Sequence, residues 1–335
     1  MSNKIFSISS AFVLGASFAV ADVPKVAVDI APVHSLVSKV MDGLGKPNLI
    51  IPAEASPHEY QLRPSEAKAL QEAKLVFWIG EDLTPWLEKG LSTLAKDATI
   101  TTLLKADGIE LLDFREGALF EAHDHSDHDD HDDHDDHDDH DHGKHKKKDD
   151  HDDHDDHAGH EGHDHGEHDP HAWLSPGIAK VWLNLIAAKL SEVDPSNAST
   201  YFSNASSANK DLDSLSDEIN KILDPIRKEK FVVFHDAYQY FEKHFNISAS
   251  GAISLGDASD PSPARLKEIK ERVEKEDIHC VLAEPQYNEG LVKAVIEGTH
   301  ANNAVIDPLG VSLEIGPNLY DKLIRNLAIN LSNCF

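Results

Sequence analysis

The sequence predicts an α/β fold made of two lobes, each with a parallel sheet covered by helices. Two observations lead to this fold class. Short apolar runs of strand character alternate with stretches of helical spacing over residues 25–94 and again over residues 231–331, which is typical of a parallel sheet. Between them, the stretch from Ser196 to about Leu223 is long, polar and poor in helix-breaking residues. A helix of that kind is expected to connect two lobes rather than to fill a core.

The strands are predicted from short apolar runs that end at polar or turn-forming residues. They are Lys25–Ile30, Asn48–Pro52 and Leu75–Gly80 in the first lobe, and Phe231–His235, Cys280–Ala283 and Ala304–Asp307 in the second. Helices are expected over His34–Gly43, Glu66–Ala73, Leu83–Leu94, Ala237–His244, Pro263–Glu276, Gly290–Gly298 and Asn318–Leu331. Ligands of such sheets bind beyond the carboxyl ends of the strands, so side chains that follow these runs are the candidates for a site.

We expect four parts along the chain: a signal peptide at 1–21, a first lobe at 22–194, a linking helix at 195–225 and a second lobe at 226–335. The first lobe carries an acidic, His-rich insertion at 121–168. This insertion is predicted to be disordered, because it has too few apolar residues to form a core.

The N-terminus has the pattern of an export signal. Lys4 supplies a positive charge, Ala11–Val20 is an apolar run too short to span a bilayer as a helix, and Ala19-Val20-Ala21 matches a small-x-small cleavage site. No cysteine lies at this cleavage site, so a lipid anchor is not expected. We therefore predict that the mature protein is located in the periplasm.

The two cysteines of the chain, Cys280 and Cys334, both lie near the C-terminus. In an oxidising compartment an even pair predicts a disulfide, which would attach the last helix to the body of the second lobe. The alternative is a pair of free buried thiols.

The net charge of −29 is concentrated in one part of the chain. Residues 121–169 contain 19 Asp, 3 Glu and 4 Lys, and thus contribute −18. Acidity on this scale argues against nucleic acid as a partner, since phosphate binding needs clustered Lys and Arg. It favours cations.

A repeat of one His and two Asp, HDDHDDHDDHDDH, forms the centre of the insertion. Sixteen of the 23 His of the chain lie between His123 and His168. Imidazole and carboxylate groups both bind borderline divalent metals such as zinc. The segment is predicted to bind several ions weakly, because a flexible ligand set must be ordered at each capture. The plainer alternative is a solvated acidic run.

A tight site needs few ligands on rigid elements, and three histidines outside the repeat lie where strands or loops end. His58 follows the strand Asn48–Pro52, His171 lies where the insertion rejoins the first lobe, and His235 ends an apolar strand. Three imidazoles with a fourth position for water or a carboxylate form a zinc-like set. Each histidine taken alone is more often a hydrogen-bonded cap than a ligand.

Two carboxylates follow strands of the second lobe. Asp307 is either a fourth ligand or a turn residue before Pro308 without a metal role. Glu284 is a candidate for orienting a ligand by hydrogen bonding. Hydrolytic zinc enzymes use the same ligand types, so these types alone do not separate a carrier from a catalyst.

Five segments, taken together, identify a family. They are "PHEYQLRPS", the His-rich insertion just before "DPHAWLSP", then "FHDAYQYF", "LAEPQ" and "IDPLG". Over essentially its whole mature length the chain resembles the zinc-specific periplasmic solute-binding proteins of bacterial ABC metal importers. The resemblance implies two Rossmann-like lobes joined by a long rigid backbone helix, with the metal in the cleft between the lobes.

The resemblance also implies a ligand set. His58, His171 and His235 become zinc ligands, and Asp307 matches a fourth-ligand position. A carboxylate takes the third position in manganese-preferring relatives, so His235 favours zinc. The family also supports a disulfide between Cys280 and Cys334.

The implied function is capture of Zn²⁺ in the periplasm and its delivery to an ABC permease in the inner membrane, by a protein expected to be a monomer and not an enzyme. The insertion would recruit or buffer zinc near the cleft. Two alternatives stay open: a periplasmic zinc hydrolase with Glu284 or Asp236 as base, and a stand-alone periplasmic metal buffer or chaperone. No His-Glu-x-x-His or Gly-x-Ser-x-Gly motif occurs, which argues against the hydrolase.

Overall fold

The computed structural model describes residues 23–115, 120, 168–254 and 261–335. The predicted signal peptide at 1–21 lies outside the described residues, and so does the predicted insertion up to residue 167. Among the described residues, none of the helices combines the length and the apolar character needed to cross a membrane.

The first lobe is built on a four-stranded parallel sheet in the order β2-β1-β3-β4. Its elements are β1 (Val26–Val28), α1 (Ala31–Val40), β2 (Asn48–Leu49), α2 (Pro64–Glu72), β3 (Leu75–Trp78), α3 (Pro85–Leu94) and β4 (Thr99–Thr102). The central strands β1 and β3 are buried at every residue, as expected for apolar strands that are covered on both faces of a parallel sheet.

Two long helices follow, α4 (Pro176–Val193) and α5 (Ala198–Leu223), which are joined by a short turn and pack against each other. Pro176 opens α4, and the Ser175 hydroxyl caps it by accepting the N–H of Ile178 at 3.4 Å. The 26-residue α5 buries one stripe at helical spacing, formed by Tyr201, Ala205, Ala208, Leu212, Leu215, Ile219 and Leu223. It packs on α1 and α4 as well as on the C-terminal helix α9 (Leu319–Ser332). A helix with one narrow buried stripe therefore contacts elements of both lobes.

The second lobe repeats the architecture with the strand order β6-β5-β7-β8, again all parallel. Before α9, its elements are β5 (Phe231–His235), α6 (Gln239–Phe245), β6 (Gly251–Ser254), α7 (Pro263–Lys275), β7 (Cys280–Ala283), α8 (Glu289–Ile296) and β8 (Asn302–Val305). Alternate residues of β5 enter different clusters: Val233 joins the main core, whereas Val232 and Phe234 join a smaller cluster with residues of α7 and α8.

The predicted fold class is confirmed, and six of the eight strands overlap predicted apolar runs, although β8 shares only Ala304 and Val305 with the predicted Ala304–Asp307. The two strands that the sequence did not predict, β4 and β6, are outermost in their sheets. Their sequences, TITT and GAIS, are short and hold few large apolar residues. Pairing with β3 and β5 defines them, and that pairing leaves no periodic signal in the sequence. The residue boundaries assigned to the lobes and the linking helix stay predictions.

The predicted disulfide joins Cys280, the first residue of β7, to Cys334, which follows α9, with a Cα–Cα distance of 5.6 Å. The side-chain amide of Asn302 donates to the carbonyl of Cys334 at 2.9 Å. The chain end is thus attached to β7 covalently and to β8 by a hydrogen bond.

We expect the Cys280→Ser/Cys334→Ser variant to lose about 2–4 kcal/mol of the free energy of unfolding, because the 54-residue separation closed by the disulfide no longer restrains the unfolded chain. Urea unfolding with and without reductant measures this loss. The reductant should lower the midpoint of the native protein and leave that of the variant unchanged. A native midpoint that is insensitive to reductant would contradict the prediction.

Asp29 connects the two central strands of the first sheet through its side chain. It follows β1, is 1% exposed, and accepts the N–H of Ile30 at 2.8 Å and the N–H of Ile79 at 2.6 Å. Burial raises the pKa of Asp29 from 3.8 to about 7, against the opposing effect of the two backbone N–H groups.

We expect Asp29 to make stability pH-dependent below neutrality. Its folded pKa is about 7 and its ordinary pKa is 3.8, so the unfolded chain loses its proton first as the pH rises. The contribution of Asp29 to the free energy of unfolding therefore falls between about pH 4 and pH 7. Urea unfolding at pH 5 and pH 8 should show that Asp29→Asn gains stability relative to the native protein at the higher pH. An equal difference at both pH values would contradict the raised pKa.

Candidate metal centre

His58 is presented by the loop between β2 and α2. The indole N–H of Trp86 donates to the carbonyl of Pro57 at 2.8 Å. Tyr60 packs edge-on against Trp86 and donates its hydroxyl to Glu66 in α2 at 2.8 Å. The residues on both sides of His58 are thus attached to α2 and α3, which holds a half-buried imidazole at the carboxyl edge of the first sheet.

His171 lies directly before a 3-10 turn, Ala172–Leu174, that leads into α4, and it is 2% exposed. Its Nδ1 lies 2.7 Å from Asp169 Oδ1, which also accepts the backbone N–H of His171 at 2.9 Å. The imidazole packs against Trp173, with 5.1 Å between ring centroids. The indole N–H of Trp173 in turn donates to the carbonyl of Pro308 in the second lobe at 2.8 Å.

His235 is the last residue of β5 and is 4% exposed. Its Nδ1 lies 2.7 Å from Oε1 of Glu284, which directly follows the neighbouring strand β7. The sequence predicted Glu284 as the carboxylate that orients a ligand, and the structure contains this hydrogen bond.

The structure brings His58, His171 and His235 together. One ring nitrogen of each lies within 4.8 Å of those of the other two, and no other group of three or more His, Cys, Asp or Glu side chains among the described residues is arranged in this way. The ring centroid of His171 lies 5.6 Å from that of His58 and 5.2 Å from that of His235. Residues of both lobes line the surrounding pocket.

The carboxylates determine which nitrogen of each buried imidazole is available. Asp169 and Glu284 each accept a hydrogen bond from an Nδ1–H group, so in both His171 and His235 the lone pair that can bind a metal is on Nε2. These two Nε2 atoms are 3.4 Å apart. Two nitrogens that bind one tetrahedral Zn²⁺ at about 2.0–2.1 Å lie about 3.4 Å apart. The pair is therefore spaced for a single zinc ion.

Asp307 lies outside this cluster. Its carboxylate accepts the backbone N–H groups of Leu309 at 3.0 Å, Gly310 at 2.8 Å and Val311 at 2.6 Å. This is the turn role that the sequence left open as the alternative to a ligand role. The geometry favours the turn role, and metal binding by Asp307 stays a prediction.

Asp169 is the residue that the sequence analysis missed. It is fully buried, and its second oxygen accepts the side-chain amide of Gln239 at 3.1 Å. The available signal was its place two residues before a candidate ligand, since metal-binding histidines commonly donate their other N–H to a nearby carboxylate.

Residues 26–334 match the ZnuA family, described as "Zinc-uptake complex component A periplasmic". The "High-affinity zinc uptake system protein ZnuA" of Brucella abortus (strain 2308) is 47% identical over 309 residues, which cover 92% of this chain and 91% of the relative. The protein of the same name from Paracoccus denitrificans (strain Pd 1222) is 44% identical over 315 residues, covering 94% of this chain and 92% of that relative.

The crystal structure of a zinc-bound deletion mutant of ZnuA superimposes with a TM-score of 0.70 at 22% identity, and covers 93% of this chain and 98% of the other. At this identity the superposition supports the two-lobed fold alone. The family match and the close relatives together extend over nearly the whole chain, and the chain belongs to the ZnuA family of periplasmic zinc-uptake complex components.

Proposed function

We propose that this protein binds Zn²⁺ in the cleft between its lobes through His58, His171 and His235, and delivers the ion to an ABC permease in the inner membrane. The observation that carries the proposal is the cluster of three imidazoles, two of which have their Nδ1 atoms held by buried carboxylates and their Nε2 atoms 3.4 Å apart. The zinc-uptake family and its close relatives support the same cargo.

The ligand types favour zinc over harder cations. Imidazole nitrogen suits zinc, whereas Mg²⁺, Ca²⁺ and Mn²⁺ prefer oxygen ligands. The buried carboxylates of Asp169 and Glu284 would not contact the ion, but each places one negative charge near it. Together these two charges balance the +2 charge of zinc. A divalent ion can therefore enter the buried site without leaving a net charge uncompensated.

Both candidate bases of the hydrolase alternative are engaged in hydrogen bonds. Glu284 Oε1 accepts from His235. Asp236 accepts both the Nε–H of Arg115 at 2.9 Å and a second guanidinium N–H, and the same arginine donates to Glu242 at 2.9 Å. A carboxylate held in such a buried ion pair is poorly suited to accept a proton from metal-bound water. A transport role also agrees with the family.

The His-rich insertion supplies a second, weaker class of metal sites in this proposal. The chain segments beside the insertion lie together on the second lobe: Asp169 donates its N–H to the carbonyl of Leu112 at 2.8 Å, and the Tyr240 hydroxyl bonds to both segments. His171 follows three residues after His168. Metal held by the insertion would be tethered to the cleft at an effective concentration of roughly millimolar.

Family membership implies the periplasm. We infer that residues 1–21 are the cleaved export signal and that the protein acts as a monomer. The partner is the membrane permease of the zinc-uptake system.

We expect the His58→Ala/His171→Ala/His235→Ala variant to lose one tight zinc equivalent while it keeps several weak ones, because the tight site is the cleft and the weak sites belong to the insertion. Calorimetric zinc titration of the mature protein measures both classes. The matched control is the native cleft without residues 121–167, which should keep one tight equivalent and lose most weak ones. Survival of the tight equivalent in the triple variant would refute the proposed ligand set.

We expect Asp307→Ala to weaken zinc binding less than twofold and to lower stability by about 1–3 kcal/mol, because its carboxylate satisfies three backbone N–H groups of a turn. Competition with a chromogenic chelator gives the affinity and urea unfolding gives the stability. A loss of affinity as large as that of His58→Ala, with stability unchanged, would instead make Asp307 the fourth ligand.

A further inference from the structure

The carboxylate that orients His235 has a second oxygen that is buried without a partner. Glu284 is 2% exposed, and its Oε1 faces both the Nδ1 of His235 at 2.7 Å and the backbone N–H of His235 at 3.4 Å. Its Oε2 accepts no hydrogen bond from the described residues. Leaving a buried carboxylate oxygen without a donor is costly, so a donor beside it has a clear energetic use.

The hydroxyl of Tyr238 is a second buried group that makes no hydrogen bond within the described part of the chain. Tyr238 is 3% exposed, and its ring lies 6.2 Å from the ring of His235. Burial, and after it the charge of Glu284, raises the pKa of this hydroxyl well above its ordinary value of 10. A tyrosine hydroxyl is an uncharged O–H donor at neutral pH, and this one lies near enough to Glu284 to be affected by its charge.

The other orienting carboxylate shows what a complete arrangement looks like. Asp169 accepts from His171 through Oδ1 and from the side-chain amide of Gln239 through Oδ2. Gln239 is the first residue of α6, and Tyr238 directly precedes it. Neighbouring residues at the start of one helix thus lie beside the two carboxylates, and one of these carboxylates already receives its second donor from there.

We propose that Tyr238 is a positioning residue for metal binding, whose hydroxyl donates to Glu284 Oε2 and so holds the carboxylate that fixes His235 with its Nε2 atom facing the ion. The inference rests on the proposed function, because the orientation of His235 matters for binding only if its Nε2 is a zinc ligand. The atoms needed are one donor and one acceptor, both buried and both otherwise unused.

The test is the zinc affinity of Tyr238→Phe, measured by competition with a chromogenic chelator. The phenyl ring keeps the packing and removes only the donor. We expect affinity to fall about tenfold, at the lower end of the effect of removing a group that holds a metal ligand, with one tight equivalent retained. The matched control is Tyr201→Phe in α5, which removes a buried hydroxyl that donates to Asp194 at 2.8 Å. It should leave zinc affinity unchanged.

A double-mutant cycle distinguishes action through Glu284 from a general loss of packing. In the Glu284→Gln background, Tyr238→Phe should cost less than a further twofold in affinity, because the carboxylate that it positions is already absent. The same tenfold loss in both backgrounds would overturn the proposal, and so would an unchanged affinity in Tyr238→Phe. Failure of the native protein to bind zinc through its three histidines would instead overturn the proposed function.

Discussion

The site depends on hydrogen bonds between buried carboxylates and the Nδ1 atoms of two imidazoles. Without Asp169 and Glu284, the two buried rings could rotate or change tautomer, and their Nε2 atoms would not face each other at 3.4 Å. The same carboxylates place two negative charges beside the proposed position of Zn²⁺. Orientation and charge compensation therefore have one structural cause, which explains why these acids are almost completely buried.

Parallel topology explains why these groups meet. His235 and Glu284 end neighbouring strands of one sheet, and His58 follows a strand of the other. Parallel strands expose all their carboxyl ends on one edge, and the packing of the lobes turns the two edges toward each other. Several contacts hold the lobes in this relation: Ser35 in α1 accepts the N–H of Tyr320 in α9 at 3.0 Å, and Tyr320 donates its hydroxyl to the carbonyl of Trp173 at 2.7 Å.

The segment that precedes the His-rich insertion is attached to the second lobe beside the site. The guanidinium of Arg115 pairs with Asp236 and Glu242, and its Cζ atom lies 3.6 Å from the ring centroid of Phe120. Phe120 also donates its N–H to the carbonyl of Ser250 at 3.2 Å. A buried ion pair of this kind is weak as a source of stability but strict in geometry. It attaches Arg115, which precedes the insertion in the chain, to the residue that follows His235.

The sequence by itself determined the fold class, the central strands and the three histidines, because apolar runs such as FVVFH and LVFWIG report burial directly and because ligand types are visible in the residues. The family motifs added the cargo. Only the tertiary structure decided the two edge strands β4 and β6, the turn role of Asp307, the hydrogen bond from His171 to Asp169, and the burial of the Tyr238 hydroxyl and Glu284 Oε2 without hydrogen-bond partners among the described residues. These features depend on contacts between residues that are far apart in the chain or on the direction in which a side chain points. Neither quantity leaves a local pattern, so packing alone can specify them.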